Sequence, residues 1–522
     1  MKKLILFLLL ASNSLTAQVT QEWVAKFKDS VYSEFRSITT DIYGNSYVSG
    51  YQLNQQINMS NYLTIKYNPS GILQWVRTYK GPDTIPQGGS DIVLKNISDN
   101  FGNIYVTGYS MNISPNEDIV TIKYNSDGDS IWVRRFNGKN NSPDYPKDMV
   151  IDKYSNVYIT GVTRGATSDD YLTLKYDSSG NLLWNAVYTN GDVPNAIALD
   201  CSGNVYVTGE SSSFFTEYLT VKYNSSGVLK WVRTHGSERD AEGTSIAVDK
   251  TGNIYLTGFI TFSNGSSDYS TLKYDSSGNL LWRKDFERFY AKSPYKILID
   301  SSSSCFVVGS SAILKYDSSG SLLWADTSSF YESIYSTLDK SGYLYTTRLL
   351  YSMNNLFFIK TTKYGSFGNK LWEKIYGEGI ENDYNEPFGI AIDKNNNVFI
   401  AGIKYLNGIQ NTDTILTIKY SQIVNISHTN QIINKDFELL QNYPNPFNPV
   451  TKIGYRISKK SFVTLKIYNV EGKRIISIIQ KTQNAGSYLI EFNGNNLAGG
   501  IYFYSLVIDN KLVDTKKMLF IK

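Results

Sequence analysis

The sequence predicts an all-β protein: an eight-bladed β-propeller, with seven blades as the alternative, followed by a small Ig-like β-sandwich. Three observations lead to this prediction. Two short motifs recur about every 50 residues, each period contains four β-patterned runs, and the end of the chain breaks the period. The 41 Tyr among the 522 residues also favour strands, because aromatic side chains pack well on a pleated surface.

The first 17 residues predict a signal peptide. Lys2 and Lys3 precede an apolar run from Leu4 to Ala11, which has the length of a signal-peptide hydrophobic segment and is too short to span a bilayer. Ala17 is the expected cleavage point. No later stretch reaches the apolar length of a membrane helix. We therefore expect an exported chain without a transmembrane helix.

The first motif joins a Lys-Tyr pair to a Trp. A Gly lies four residues after the Tyr and the Trp eight residues after it, as in Lys66, Tyr67, Gly71 and Trp75. We expect each Trp to fill the gap between neighbouring blades, with a carbohydrate-stacking ring as the alternative, and each Lys to lie on a solvated strand face. The seven Trp of this motif are Trp75, Trp132, Trp184, Trp231, Trp282, Trp324 and Trp372.

The second motif places an aromatic residue six positions after an Asp, and in seven of eight copies a Gly follows three residues later. Its Asp-x-x-Gly-Asn turn and the Tyr-Asp-Ser-Ser-Gly-Asn turn of the first motif keep a nearly constant length, as tight hairpins require. We call the end of the propeller that holds these turns the plain face. The eight copies begin at Asp41, Asp99, Asp152, Asp200, Asp249, Asp300, Asp339 and Asp393.

The other two connections of each period vary in length. The distance from the Trp to the next Asp runs from 15 to 24 residues, and that from the Gly to the next Lys-Tyr from 6 to 17. These connections share the opposite end of the propeller, which we call the variable face. Variable loops on a rigid scaffold are the usual place for binding, so we expect a ligand there.

The ends of the array predict a closed ring. The eighth Lys-Tyr pair, Lys419 and Tyr420, has no Trp after it, whereas Trp23 has no Lys-Tyr pair before it. The run around Trp23 is therefore expected to be the outer strand of the last blade, which removes an open sheet edge. Seven blades follow instead if the degenerate copy near Cys305 is skipped.

The tail has its own strand pattern. We divide the chain into a signal peptide (1–17), propeller repeats (18–420), a linker (421–440) and a C-terminal domain (441–522). Six β-patterned runs in the last segment predict a small sandwich. The segment also contains NYPNPFNPVT, YNVEG, a Gly-Ser-Tyr turn, LAGGIYFYSL and a terminal MLFIK. The motif residues are Asn442, Pro444, Asn445, Pro446, Phe447, Gly472, Gly486, Gly500, Tyr502 and Lys522.

Through these motifs, the tail resembles the C-terminal sorting domain of the type IX secretion system. The resemblance covers about a sixth of the chain. It implies export across the inner membrane by the signal peptide, passage through an outer-membrane pore that reads the tail, and removal of the tail with release or surface attachment. The implied partner is thus the outer-membrane secretion machinery, and the implied location is outside the cell or on its outer surface.

The main body resembles the SBBP-type bacterial propeller repeats, through D-x-x-G-N-x-Y-V-T-G and K-Y-x-x-x-G-x-x-x-W. This resemblance implies the fold and leaves the ligand open, because one fold carries many functions. Residues 18–440 hold 37 Lys or Arg and 43 Asp or Glu, which argues against nucleic acid as the partner of the main body.

Three functions remain open from the sequence. The first is a binding or adhesion module for an unknown glycan or protein; the alternative is a secreted lyase or hydrolase that degrades polysaccharide or peptide. The third is a purely structural surface-layer or adhesion element without a small ligand. With two His and two Cys, we expect no metal site and no cofactor, and an enzyme is the less favoured reading. An acidic residue five positions before the Lys recurs in four copies and is the candidate ligand contact: Asp118, Asp170, Glu217 and Asp268.

Overall fold

The structure, a computed structural model, forms two compact units, Met1–Asn425 and Ile426–Lys522. The predicted signal peptide and most of the predicted linker lie outside the described residues. Those are 18–423 and 437–522, without 30, 55–58, 82–88, 112–115, 166–167, 190–192, 213–215, 237–239, 263–265, 288–292, 329–333, 353–355, 378, 380–382, 407–413, 443, 458 and 485.

Eight four-stranded antiparallel sheets form the first unit, and each sheet is one blade. Blades 1 to 4 contain β2 (Tyr32–Thr40), β3 (Ser46–Asn54), β4 (Met59–Tyr67) and β5 (Leu73–Tyr79); β6 (Asp91–Ser98), β7 (Ile104–Met111), β8 (Glu117–Tyr124) and β9 (Ser130–Phe136); β10 (Asp144–Ile151), β11 (Val157–Arg164), β12 (Asp169–Tyr176) and β13 (Leu182–Tyr188); and β14 (Pro194–Leu199), β15 (Val205–Ser212), β16 (Thr216–Tyr223) and β17 (Leu229–His235). A single 3-10 turn, Lys139–Asn141, precedes β10.

The remaining blades follow the same order, except for the last strand of blade 8, which comes from the start of the described chain. Blades 5 to 8 contain β18 (Ala241–Val248), β19 (Ile254–Thr261), β20 (Ser267–Tyr274) and β21 (Leu280–Phe286); β22 (Pro294–Ile299), β23 (Cys305–Gly309), β24 (Ile313–Tyr316) and β25 (Leu322–Asp326); β26 (Ile334–Leu338), β27 (Leu344–Ser352), β28 (Leu356–Tyr364) and β29 (Lys370–Tyr376); and β30 (Asp383–Ile392), β31 (Val398–Leu406), β32 (Thr414–Ile423) and β1 (Gln18–Lys28).

The ring closes by pairing the two ends of the array. β1 pairs antiparallel with β32, and Trp23 lies opposite Lys419. The prediction of eight blades is confirmed, and the degenerate copy near Cys305 is a complete blade with short second and third strands. The first strands of neighbouring blades pack against one another around the centre.

The Trp of each motif packs against the next blade. The Trp75 indole lies against Gly128 of blade 2, where a Cβ would come within 2.8 Å of the ring. Gly128 also has a φ of +83°, which L side chains rarely adopt. One residue type therefore meets two demands, a left-handed turn and room for the neighbouring indole. The same contact recurs for six further pairs, which confirms that the Trp residues fill the gaps between blades.

The prediction that the Lys of each motif faces solvent is wrong. Lys66 is only 8% exposed, and its Nζ donates to the Ser126 carbonyl oxygen of the next blade at 2.6 Å. The Trp75 Nε1 donates to that same oxygen at 3.1 Å. Lys and Trp are neighbours across the third and fourth strands, so both reach one turn of the adjacent blade. Six blades share this arrangement.

The second unit is built from two sheets that enclose one core. One sheet has the order β33-β34-β37 and the other β36-β35-β38-β39, and residues from both form a single buried cluster. The six predicted strands are present, and the Ig-like assignment stays a prediction. The strands are β33 (Phe437–Leu439), β34 (Val450–Ile457), β35 (Ser461–Tyr468), β36 (Arg474–Gln483), β37 (Gly486–Asn493), β38 (Gly500–Ile508) and β39 (Lys511–Phe520).

The structured units extend into both ends of the predicted linker. β32 continues to Ile423, because its last residues pair with the start of β1. At the other end, Phe437–Leu439 pairs with β34 and belongs to the sandwich. The predicted boundaries at 420 and 441 therefore each cut off a few residues of a paired strand.

Candidate functional site

The four predicted acidic residues occupy one equivalent position in four consecutive blades. Each is the second residue of the third strand, close to the variable face: Asp118 in β8, Asp170 in β12, Glu217 in β16 and Asp268 in β20. Asp118, Asp170 and Asp268 are buried, and Glu217 is partly exposed. The position on the strand agrees with the expectation, but the third strand lies two strands away from the centre of the ring, so the four residues stay in separate blades.

Asp118 is held within its own blade. It forms an ion pair with Arg135 at 3.1 Å, and Arg135 also donates to the carbonyl and the hydroxyl oxygen of Ser110. Within the part of the chain that the structure describes, no three His, Cys, Asp or Glu side chains lie close enough to hold a metal ion. The ligand-binding role of the four residues stays a prediction.

A cavity of about 440 Å³ lies among the first strands of blades 1, 2, 6, 7 and 8. Its thirteen lining residues include three cations, Arg36, Lys95 and Lys296, and no acidic residue. Aromatic rings of blades 6 to 8 supply further wall, and aliphatic residues, Ser and Gly complete it. The cavity therefore combines positive charge with an aromatic surface. The aromatic residues are Tyr295, Tyr335 and Phe388.

β-Bulges shape this lining. In seven blades the first strand carries one extra residue where it pairs with the second strand, as between Phe35 and Ser37 in blade 1. A bulge bends the strand and re-aims a side chain. The extra residues Arg36 and Tyr295, in blades 1 and 6, line the cavity.

Two of the three cations have carboxylate partners. The Arg36 guanidinium pairs with Glu34 at 2.6 Å, and the Lys95 ammonium pairs with Asp148. Asp148 also accepts a hydrogen bond from the Ile197 backbone N–H at 3.1 Å. Burial alone would raise the pKa of the Asp148 carboxyl, but Lys95 and Lys296 outweigh it and hold the pKa below its ordinary value.

Lys296 differs from the other two cations. Its side chain is exposed to the cavity, and among the described residues no carboxylate oxygen lies within 4 Å of its Nζ. Desolvation lowers the pKa of Lys296, Lys95 lowers it further, and Asp148 acts in the opposite direction. The cavity thus holds one positive charge without a contacting partner.

Sequence reasoning missed this cavity because its residues do not recur. The residue after the bulge in seven blades, and Tyr335 in blade 7, lies opposite the same point of the second strand, but neighbouring blades differ in its type. A repeat search detects positions that keep one residue type, and this position does not. The signal available was alignment of the first strands on the Asp motif. The ring consists of Ser37, Lys95, Asp148, Ala196, Ser245, Lys296, Tyr335 and Gly389.

The sorting motif of the tail is fixed by two buried anchors. The Asn442 side chain donates to the Thr451 hydroxyl at 2.9 Å, and its backbone N–H donates to the Tyr504 hydroxyl at 2.7 Å. Phe447 exchanges backbone hydrogen bonds with the last strand, and its ring lies 5.0 Å from that of Phe520. Between these anchors, Pro444, Asn445 and Pro446 are exposed.

The remaining motif residues stabilise the tail at its turns. Gly472 has a φ of +75° in the turn after β35, and Gly486 and Gly500 begin β37 and β38. Tyr502 is 7% exposed, and its hydroxyl donates to the Ala498 carbonyl oxygen at 2.8 Å. Lys522 ends the chain two residues after β39.

Among the described residues, Cys201, Cys305 and His235 share no site. Cys201 is exposed in a turn, Cys305 is buried in a strand, and both thiols are free. His235 packs edge-on against Tyr218 with ring centroids 6.1 Å apart. A search of the described residues finds no helix with the length and apolar character needed to cross a membrane.

Known protein families match both the propeller and the tail. Residues 441–522 match the family described as the secretion system C-terminal sorting domain, and residues 131–166 and 231–264 match the β-propeller repeat family SBBP. An uncharacterized WD repeat-containing protein of Acanthamoeba polyphaga mimivirus is 22% identical in an alignment of 366 residues, which covers 55% of this chain. The alignment covers only 25% of that relative's length.

Solved structures resemble the propeller at low sequence identity. The Dos1 propeller is 8% identical, with a TM-score of 0.51 over 77% of this chain and 95% of that one. Sqt1 from Chaetomium thermophilum is 10% identical, with a TM-score of 0.48 over 77% and 99% of the two chains. The first likeness shows the fold alone. The chain is a β-propeller with SBBP repeats, and its type IX sorting domain directs export to the cell surface or the extracellular space.

Proposed function

We propose that this protein is a binding module that works outside the cell, with its ligand held at the variable face and in the central cavity. The observation that carries this proposal is the cavity itself, which brings three cations and three aromatic rings together at the centre of a rigid ring. Concave sites of this size, with a few polar groups in an apolar wall, are the usual form of small-ligand sites.

Aromatic side chains near the variable face add to this argument. In blades 7 and 8, the Phe357 and Tyr384 rings stack with centroids 3.4 Å apart, and Tyr351 and Tyr405 flank them. Tyr351 is 53% exposed. Rings at the rim of a scaffold, with one apolar face and one polar tip, are suited to contact a glycan or a peptide.

The acidic residues of blades 2 to 5 belong to the same proposal. Glu217 is the member whose side chain is partly exposed, so we expect it to contact ligand directly. Asp118, which is buried against Arg135, is expected to act by fixing the strand that carries the contact surface. The variable loops next to these positions lie partly outside the described residues.

A binding panel tests this proposal. The full-length purified chain is incubated with immobilised glycans and peptides, and both retention and the mass of any product are recorded. We expect retention without product. Retention should be weaker for the Glu217→Gln variant than for the control variant Lys230→Gln, which changes an exposed residue of the outer strand β17. A product of lower mass would contradict the proposal and identify an enzyme, and retention of nothing would also contradict it.

We infer that the secretion machinery reads the exposed Pro444–Asn445–Pro446 segment of the tail. The buried anchors Asn442 and Phe447 hold this segment on the sandwich. The segment therefore keeps its conformation without contact with the outer-membrane pore. Replacing Pro444 by Ala keeps the backbone carbonyl oxygen to which Asn442 and Thr451 donate, so the melting temperature is expected to stay nearly unchanged while export falls. A Lys511→Ala variant in the same unit is the control. Normal export of the Pro444→Ala variant would contradict the inference.

A further inference from the structure

We propose that the central cavity binds a monoanionic sugar, a ring that carries one carboxylate or one sulfate ester, and that Lys296 holds its charged group. The proposal rests on the function proposed above and names the class of ligand. Its evidence is the charge balance of the cavity, its wall and its size.

The charge balance favours an anion. Arg36 and Lys95 each have a carboxylate within ion-pair distance, supplied by Glu34 and Asp148 from outside the lining. The Lys296 Nζ has no carboxylate within 4 Å among the described residues. Lys95 is close enough to repel the Lys296 ammonium, so an incoming anion offsets that repulsion.

The size of the imbalance favours a single negative charge. Two of the three lining cations are already balanced, which leaves one positive charge for the ligand to neutralise. A dianion such as a phosphate monoester would leave one negative charge unpaired in the cavity. A carboxylate or a sulfate ester matches the single free ammonium, and Lys offers up to three donors to its oxygens.

The wall favours a ring with both polar and apolar surface. Tyr295, which is 39% exposed, and Tyr335 both line the cavity, and each presents a flat ring with a hydroxyl at its tip. Phe388 of blade 8 adds a further ring. A pyranose has C–H faces that pack on such rings and hydroxyls that bond to the tyrosines. The volume of about 440 Å³ accommodates a ligand of this size.

Calorimetric titration of the full-length chain tests the proposal with three probes: glucuronate, glucose 6-sulfate and neutral glucose. We expect one site per chain for at least one acidic sugar, and binding at least about tenfold weaker for glucose, because a charge-assisted hydrogen bond is lost. The two acidic probes distinguish a carboxylate ligand from a sulfate ester. The comparison with glucose needs no variant and therefore stands even if a substitution disturbs the fold.

Variants then assign the charge to its residue. Lys296→Met is expected to weaken binding of the acidic sugar about tenfold, and Lys296→Gln, which keeps a polar tip, to have a similar effect. Lys230→Met is the matched control and should bind like the wild type, since Lys230 is exposed on the outer strand β17.

Three results would overturn the proposal. These are no heat of binding for either acidic sugar at about 10 mM, equal affinity for glucose, and unchanged affinity in both Lys296 variants. If the chain retains other glycans or peptides while any of these holds, the ligand class is wrong and the binding module stands. If nothing is retained in the panel either, both proposals fail.

Discussion

At the scale of single residues, the glycine of the first motif combines a left-handed backbone with a close contact between blades. Gly128 has both a left-handed backbone and an indole 2.8 Å from the place of a Cβ, whereas Gly252 has the same backbone, with a φ of +85°, and its nearest neighbour atom at 3.6 Å. Comparing Gly128 with Gly252 therefore distinguishes the energetic cost of backbone strain from the cost of the contact between blades.

We predict that Gly128→Ala lowers the free energy of unfolding by about 3 kcal/mol and Gly252→Ala by about 1 kcal/mol. The left-handed conformation alone costs roughly 1–2 kcal/mol for an L residue, and the clash with Trp75 adds to it. Urea unfolding of both variants checks the difference. Equal losses would mean that the indole moves aside at no cost.

The turn aspartates link stability to pH. Burial alone would raise the pKa of Asp249, but hydrogen bonds from Thr251 and Asn253 outweigh it and lower the pKa from 3.8 to about 2. The unfolded chain therefore takes up this proton first. The contribution of Asp249 to stability is complete above about pH 4 and is lost as the pH falls through about 2.

The corresponding prediction compares the wild type with Asp249→Asn, which has no carboxyl to protonate. Between pH 5 and pH 2, the wild type should lose about 1 kcal/mol more of its unfolding free energy than the variant, after allowance for solvent screening at this surface turn. Urea unfolding at several pH values measures the difference. Parallel losses would show that Asp249 is not held in the way described.

At the scale of the elements, the joint between blades 7 and 8 lacks one contact that the others have. In seven blades the Trp Nε1 donates to a turn carbonyl of the next blade, as Trp75 does to Ser126. Blade 8 has no such turn, because its third and fourth strands come from opposite ends of the chain. The Trp372 Nε1 is buried without a partner, and Gln422 accepts the hydrogen bond of Lys363 instead.

Replacing Trp by Phe should therefore cost less at the closing joint. Trp75 and Trp372 are equally buried, at 8% exposure each, so the loss of ring volume is matched. We predict that Trp75→Phe destabilises the propeller by about 1 kcal/mol more than Trp372→Phe, since only the first loses a hydrogen bond, while the Ser126 carbonyl oxygen keeps Lys66 as its donor. Thermal unfolding of both variants checks this, and a larger loss for Trp372→Phe would contradict it.

The elements also show how far the sequence could predict the structure. The recurring Asp, Gly and Trp positions predicted the blades, and the unpaired Trp23 and Lys419 predicted the closure, because each depends on spacing along the chain. The solvated position expected for Lys66 was wrong, since its partner is a carbonyl in another blade that local alternation cannot reveal. The strand Phe437–Leu439 was missed because three residues are too short to show a pattern.

At the scale of the whole molecule, the propeller and the tail have different roles. The Trp and Gly positions recur where neighbouring blades touch, whereas one equivalent position of the first strands holds Lys95, Asp148 and Lys296 in different blades. The recurring motif positions predicted the scaffold, whereas the cavity depends on first-strand residues that do not recur. The tail contributes a separate sandwich, in which Asn442 ties the sorting motif to Thr451 and Tyr504, and Phe447 ties it to the last strand.

We conclude that this propeller functions outside the cell and that the tail directs its export. The most direct measurement compares the full chain with a chain lacking residues 441–522, both with the signal peptide, by fractionating cells and medium of a host that has the type IX system. We predict that the full chain is found on the surface or in the medium and that the shortened chain stays between the two membranes. Equal amounts of both chains outside the cell would contradict the account.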